Sequence, residues 1–483
     1  MDDLKRRILF DMAKAADILL AAALFAVCWY GYYAEKIFRP LLNSGWWIVL
    51  LLYVILCTEF VHVYGGHEVF TSRISELIYS HILALLVSDG ILFAVIWVLC
   101  GRFPNPLPML AVLAAQMLLS FIWSLYVHKW YFATFPPKET AVIYDVRRGL
   151  DKLIGEYGLD KRFHIIQSIQ VQDVLADLQI LDGMDAVFLS GVHSHERNII
   201  LKYCMFEQTE VYIIPGTGDI LMSGAASIHM LHLPVLKVRS YGPDPAYLFL
   251  KRAFDILCSG LAIVILSPVM LITAAAIKLC DGGPVFYRQT RLTKDGKEFS
   301  MLKFRSMRVD AESDGVARLS SGDADLRITP VGRIIRRFRI DELPQLFNIL
   351  AGSMSIVGPR PERPEIAAQY EKELPEFRLR LQAKAGLTGF AQVYGKYNTA
   401  PYDKLQMDLM YISHPSFLRD LEICFATVKI LFMPESTDGV SVNQTTAMKD
   451  SVQKNNCSDQ STMQPPAGKN SDESGQPEEV LSK

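Results

Sequence analysis

Four long apolar stretches crowd the first 130 residues, roughly 15–33, 46–64, 81–100 and 107–127, each close to the ~20 residues a helix needs to cross a bilayer core. A chain carrying them cannot fold as one water-soluble globule, and four spanning helices are expected over 1–135. Trp46 and Trp47 open the second stretch, and Trp123, Tyr126, Trp130 and Tyr131 close the fourth, as aromatic belts do at the membrane interface. The first stretch lacks a small-residue cleavage site and three more follow, which argues against a cleaved signal peptide. Lys5, Arg6, Arg7, Arg73, Lys129 and Lys138 flank one side, against Lys36, Arg39 and Arg102 on the other. That bias favours a cytoplasmic N-terminus, and four crossings return the chain there. Of the two acids inside these stretches, Glu59 is expected near a helix end and Asp89 either paired with a neighbouring helix or marking a shifted boundary, rather than on a substrate path.

The composition agrees, with 51% hydrophobic and 21% charged residues in 483. A net charge of −2 excludes a generally basic nucleic-acid binder, so anion recognition has to come from local clustering. The eight cysteines lie far apart, with no C-x-x-C pair and no Cys/His ligand spacing. They are expected reduced and mostly packed in apolar surroundings, forming neither a disulfide framework nor a zinc site.

Over 136–245 the pattern changes to "AVIYD", "RRGLDKLIGEYG", "FHIIQSI", "QVQDVLADLQIL", "DAVFLSG", "SHERNIILKYCMF" and "VYIIP". That is a β-α-β-α-β-α-β order, which predicts an α/β, Rossmann-like domain with a parallel sheet. The turn after the first strand reads "YDVRRGLDK", without the glycines of a dinucleotide fingerprint. The expected role is support, regulation or assembly into a homo-oligomer.

A further apolar segment, 253–280, carries Ser267 and Pro268 near its middle. Proline removes a helical hydrogen bond and serine can take up a freed carbonyl, so a sharp bend is expected. A kinked spanning helix and a re-entrant helix both suit that pattern. Only the second keeps the following residues cytoplasmic, and their excess of Lys and Arg favours it. "VGRIIRRFRI", 331–340, sets Val331, Ile334, Ile335 and Phe338 on an apolar face and Arg333, Arg336, Arg337 and Arg339 on a cationic one, as a headgroup-level helix would. Directly behind it come two carboxylates, Asp341 and Glu342. They suit a helix cap before Pro344, and they equally suit a metal-assisted phosphate site within a cationic field.

Residues 251–435 resemble the bacterial sugar transferase family, the polyprenyl-phosphate hexose-1-phosphate transferases that initiate exopolysaccharide, capsule or O-antigen synthesis. The resemblance is carried by "KRAFDI", "SP" at 267, "GGPVFYRQTR", "KFRSM", "DELPQLFNIL", "SIVGPRP", "GLTGFAQVYGKY" and "YDKLQMDLMYI", in one order. The four helices and the Rossmann-like domain look like the family's long form. The resemblance implies a mainly α, membrane-associated catalytic domain over 246–435 on the cytoplasmic face of a bacterial inner membrane. It also implies transfer of hexose-1-phosphate from a UDP-sugar to undecaprenyl phosphate with release of UMP. Asp341 then matches the nucleophile of a covalent phosphosugar intermediate and a ligand of Mg²⁺, and Glu342 its partner. Lys303, Arg305, Arg336 and Arg360 match phosphate or nucleotide contacts, Asp408 a further acid near the site, and Ser267 and Pro268 the break of the re-entrant helix. "RLTKDG" at 291 departs from the family pattern in a loop.

A non-catalytic scaffold for polysaccharide assembly and a simple glycosyltransferase releasing UDP are the alternatives. The apolar stretch at 417–433 is short for a span and is expected interfacial or buried. Residues 436–483 are poor in large apolar side chains and are expected to be a disordered tail.

Overall fold

The structure, a computed structural model, describes residues 2–37, 46–70, 72–145, 149–150, 154–155, 159–230, 232–238, 242–309, 311, 327–395 and 400–431. The expected tail lies outside them. Helix α1 (Asp2–Cys28) continues through a π turn (Trp29–Tyr33) and a 3-10 turn (Ala34–Lys36), followed by α2 (Trp46–Val63), α3 (Ile74–Cys100) and α4 (Leu107–Thr134). These four helices are long and apolar enough to cross a membrane. Their shared core is aromatic: Phe25 and Tyr53 stack with centroids 4.4 Å apart, and Trp29 and Tyr33 are fully buried. Gln116 ties three helices by donating to Ala21 O at 2.9 Å and to Tyr53 Oη at 2.8 Å, the polar glue that lipid-exposed bundles use. Glu59 is exposed near the end of α2, as expected. Asp89 corrects its expectation. It is buried, and among the described residues neither of its oxygens has a hydrogen-bond partner.

After the bundle, β1 (Lys138–Tyr144), β2 (Phe163–Gln170), β3 (Ala186–Ser190) and β4 (Glu210–Ile213) pair in parallel in the order β2-β1-β3-β4. Ala141, Val142 and Ile143 of β1 are all buried, as a central strand covered on both faces requires. On one face α5 (Val171–Ala176) and α6 (Ser194–Phe206) cover Ala141 and Ile143. On the other, Val142 and Phe163 join Phe70 from the loop between α2 and α3. The helix expected over "RRGLDKLIGEYG" falls largely outside the described residues. Two elements were not anticipated: α7 (Thr217–Ser223) and an antiparallel hairpin, β5 (Ala226–Met230) and β6 (Leu233–Lys237).

Helix α8 (Pro245–Asp281) is the fifth apolar candidate for a membrane segment. Asp244 caps its start, accepting from Ala246 N at 2.9 Å, and Gly282 ends it at φ +70°, a conformation glycine adopts freely. The helix passes through Pro268 without ending there, and Ser267 Oγ donates to Val264 O at 2.8 Å. One face of α8 touches the following region along its whole length. Arg252 donates to Ile349 O at 2.7 Å and Asp255 accepts from Ser355 Oγ at 3.1 Å and from Ile356 N at 2.9 Å. Further along, Ile263 and Leu266 pack with Leu346 and Ile349, and Met270 and Ile277 with Phe304 and Ile335. Leu257, Leu261, Val264, Ile265, Leu271 and Ile272 are exposed.

That following region is helical with two small sheets. It comprises the antiparallel hairpin β7 (Phe286–Leu292) and β8 (Glu298–Phe304), then α9 (Pro330–Arg337), α10 (Gln345–Ala351), β9 (Ser355–Val357) and α11 (Pro364–Glu373). It closes with β10 (Gly386–Thr388), parallel to β9, and α12 (Phe390–Tyr394), α13 (Pro401–Ser413) and α14 (Phe417–Leu431). Ser413 Oγ donates to Ile220 O at 3.2 Å, joining α13 to α7. Helix α14 reaches the bundle, where Phe425 meets Phe60 edge-on at 4.8 Å. Lys429 Nζ donates there to Tyr64 O at 3.0 Å and Ser80 Oγ at 2.8 Å.

Candidate active site

Thr329 caps α9, its Oγ1 accepting from Gly332 N at 2.9 Å, with Pro330 at the first helical position. Gly332 has to be glycine, because an added Cβ would stand 1.9 Å from Ser306 O. The expected single apolar face of α9 is split. Val331 and Ile335 turn into the core beside α8, while Ile334 and Phe338 stay exposed next to Arg333 and Arg337. Only the exposed pair is left to meet a bilayer, because α8 already occupies the inner side.

Arg339 ends α9 in the left-handed region at φ +53°, a strained conformation for a residue with a Cβ. This turns the chain into a 3-10 turn, Ile340–Glu342. The carboxylates lie in that turn and cap nothing: Pro344 occupies the N-cap position of α10, where no side-chain cap bond forms. Glu342 Oε1 accepts from Lys303 Nζ at 3.2 Å and from Arg360 Nη2 at 2.9 Å. Asp341 differs. Among the described residues it accepts no hydrogen bond, although Lys303, Arg336 and Arg360 all act on its charge. Burial pushes the Asp341 carboxyl up to about 6, helped by the neighbouring Glu342 charge and opposed by those three cations. Burial also pushes Glu342 up, but Arg360, Lys303 and Arg339 overcome it and hold that carboxyl far below the usual range. The Lys303 ammonium is lowered by burial despite Glu342.

Three elements fix this geometry. Lys303 lies on β8, and Asn348 of α10 holds that strand through both ends of its amide, accepting from Leu302 N at 2.9 Å and donating to Ser300 O at 2.9 Å. Arg360 follows β9, where "SIVGPRP" meets "GLTGF" backbone to backbone. Gly358 N donates to Thr388 O at 2.9 Å, and a Cβ on Gly358 would stand 2.2 Å from Lys384 O. Arg380 then donates from Nη2 to Arg360 O at 2.9 Å.

Of the residues singled out in the sequence, the structure gathers Asp341, Glu342, Lys303, Arg336 and Arg360. It does not bring Arg305 to the carboxylates. Arg305 Nη2 pairs with Asp281 at the end of α8, beneath Gly283, while its Nε and Nη1 have no hydrogen-bond partner among the described residues. Asp408 is buried against Arg380, its Oδ2 accepting from Nε at 2.8 Å with Nη2 2.6 Å away, and so acts on the site through Arg380 and the Arg360 carbonyl. Ser267 and Pro268 lie on α8, away from the carboxylates in the chain.

Sequence reasoning missed the buried cluster around Glu362. Its carboxylate takes Lys404, with Arg380 Nη1 at 3.6 Å and Arg291 Nη1 at 3.8 Å. Burial raises the Glu362 carboxyl, and Lys404, Arg380 and Arg291 outweigh it to hold it at about 2. The alternating charges of "PRPERP" were the available signal, but nothing in them distinguishes a buried cluster from a solvated turn.

The family model for bacterial sugar transferases matches residues 246–434. The UDP-N-acetylgalactosamine-undecaprenyl-phosphate N-acetylgalactosaminephosphotransferase of Aeromonas hydrophila is 39% identical over 234 residues, 48% of this chain and 54% of that protein. The UDP-glucose:undecaprenyl-phosphate glucose-1-phosphate transferase of Caulobacter vibrioides is 40% identical over 42% of this chain and 78% of its own length. The exopolysaccharide production protein PSS of Rhizobium leguminosarum is 42% identical over 38% of this chain and 94% of its own length. Against the longer curated relatives, the chain spans about half of their length.

Proposed function

The chain belongs to the bacterial sugar transferase family, and from that premise we propose that it transfers a hexose 1-phosphate from a UDP-sugar to undecaprenyl phosphate, releasing UMP. The observation that carries this reading is the contrast within the carboxylate pair: Glu342 is tied to Lys303 and Arg360, while Asp341 accepts no hydrogen bond among the described residues, although the same cations act on it. A carboxylate without hydrogen-bond partners keeps its lone pairs for a phosphorus atom. Its oxygen attacks the phosphorus bonded to the sugar, and the bond to the bridging oxygen breaks, releasing UMP and leaving the sugar phosphate on Asp341. An oxygen of undecaprenyl phosphate then attacks the same phosphorus and frees the carboxylate, giving a lipid-linked diphosphosugar.

The donor set fits Mg²⁺, because Asp341 offers hard carboxylate oxygens and Mg²⁺ commonly takes one or two carboxylates plus substrate phosphates. Asp341 would hold it, and when bound it would offset phosphate charge. Lys303, Arg336 and Arg360 supply the remaining positive field and orient the diphosphate for in-line attack.

Location follows from α8. At about 1.5 Å per residue its 37 residues run ~55 Å, and both halves touch the same domain. A helix crossing the bilayer fully would separate those contacts. We therefore read α8 as re-entrant, with its exposed apolar face in lipid, and the catalytic domain as cytoplasmic on a bacterial inner membrane. The parallel sheet is read as a Rossmann-like module serving support or assembly.

Purified protein incubated with a panel of UDP-sugars, undecaprenyl phosphate and Mg²⁺ should release UMP and form the lipid diphosphosugar, identified by mass. Asp341→Asn should lower the rate by about 10³-fold or more, since the amide is nearly isosteric and a poor nucleophile. UDP as the stoichiometric product would replace this reading with simple glycosyl transfer, and unchanged turnover in the variant would remove Asp341 from the mechanism.

A further inference from the structure

A polar cluster inside the membrane bundle takes no part in the reaction above. Asp17 of α1, His67 in the turn after α2 and His81 of α3 bring their potential ligand atoms within 4.8 Å of one another. His81 Nε2 lies 3.1 Å from Asp17 Oδ2, and His67 Nε2 lies 3.5 Å from the same oxygen. Asp17 and His81 are only 3% and 1% exposed. His81 Nδ1 lies 3.0 Å from Leu77 O. A carbonyl only accepts, so Nδ1 carries the proton, and in the neutral ring Nε2 then aims a lone pair at a carboxylate oxygen that is itself an acceptor. A proton on Nε2 or a metal ion between the two atoms supplies the missing positive charge. The other oxygen of Asp17, Oδ1, is buried without a hydrogen-bond partner among the described residues, so the carboxylate is otherwise uncompensated on that side.

The spacing suits a metal ion. Zinc bonds of about 2.0–2.1 Å to nitrogen and oxygen place the ligand atoms of a tetrahedron about 3.3 Å apart. The two observed separations, 3.1 and 3.5 Å, straddle that edge. The bond from His81 Nδ1 to a backbone carbonyl is the outer contact that a metal-bound histidine makes through its free nitrogen. Both rings are also held in place. Trp123 packs on them at 5.5 and 5.0 Å, and a Cβ on Gly66 would stand 3.1 Å from His81 Cε1.

We propose that Asp17 Oδ2, His67 Nε2 and His81 Nε2 bind one first-row transition-metal dication, for which Zn²⁺ suits the two imidazoles and one carboxylate. Three protein ligands leave a fourth position for water. The ion staples α1, the turn after α2 and α3 together. Ser80, next to His81, receives Lys429 of α14, so the staple lies beside the seat of the catalytic domain. A Cys/His spacing search misses it because the ligands lie 50 and 64 residues from Asp17 along the chain.

The full chain, purified without a polyhistidine tag, placed in lipid nanodiscs, stripped with a chelator and reloaded with Zn²⁺, should retain about one ion per chain by elemental analysis. Loaded with Co²⁺ instead, it should show the visible ligand-field bands of a four-coordinate ion. His67→Gln, at the half-buried position where folding is least at risk, should lose both signals while keeping UMP release. His81→Gln and Asp17→Asn should lose them too. Equal zinc content in wild type and His67→Gln, or a six-coordinate cobalt spectrum in wild type, would overturn the site.

Discussion

Burial lifts the Asp341 carboxyl to about 6, while Arg360 and Lys303 hold Glu342 low against the same burial. The two neighbours therefore respond oppositely to pH. The folded pKa of Asp341 lies above the unfolded value, so the folded state binds more protons between about 4 and 6 and the ionised group subtracts stability above that window. Glu342 is depressed, so its contribution is present above the unfolded value near 4.5 and is lost as pH falls toward its low folded one. Without added metal at pH 7.5, Asp341→Asn should raise Tm by about 2–4 °C, a gain that fades below about pH 4. Glu342→Gln should lower Tm at pH 7.5, because the negative charge that offsets Lys303 and Arg360 is removed. Thermal scans across pH check both, and shifts of the same sign would show that the environments of the two acids are not opposed.

Among the elements, α8 carries the largest consequence for function. Asp255 anchors its first half to β9, and Met270 and Ile277 anchor its second half to β8 and α9. With the native cysteines replaced by serine, single cysteines at Gly242 and Lys297 should both react with an impermeant thiol reagent from the cytoplasmic side. Converting Ser267 and Pro268 to leucine and alanine removes the local irregularity and should move a measurable share of the Lys297 label to the opposite side. Opposite-side labelling in the unmodified helix would mean a full crossing and would place Asp341 away from cytosolic nucleotide sugar. Asn348 shows why this element-level order reaches the chemistry: one side-chain amide bridges the strand that carries Lys303 and the helix that follows Glu342.

Across the whole molecule, α14 joins the catalytic domain to the bundle through Phe425 and Lys429. Burial lowers the Lys429 ammonium, opposed by the charges of Glu76 and Glu68, while its bonds to Tyr64 O and Ser80 Oγ hold it in place. Lys429→Met keeps the side-chain length and removes those charge-assisted bonds, each on the order of 1.5–3 kcal/mol. Amide exchange over α14 should then quicken by about tenfold or more, and unchanged exchange would assign the docking to Phe425 alone. At this scale the division between chain and fold is plain. Apolar length and period determined the spanning helices and the strand order around "AVIYD" and "DAVFLSG", because those signals are local and repeat along the chain. The family words marked Asp341, Glu342, Lys303 and Arg360 for the same reason. Only the tertiary structure decided that Glu342 is tied while Asp341 accepts no hydrogen bond among the described residues, that Arg305 serves Asp281, that Glu362 sits among three cations, and that Asp17, His67 and His81 converge. Each of these depends on which distant charges burial brings together, and burial is a property of the packed chain rather than of any stretch of it.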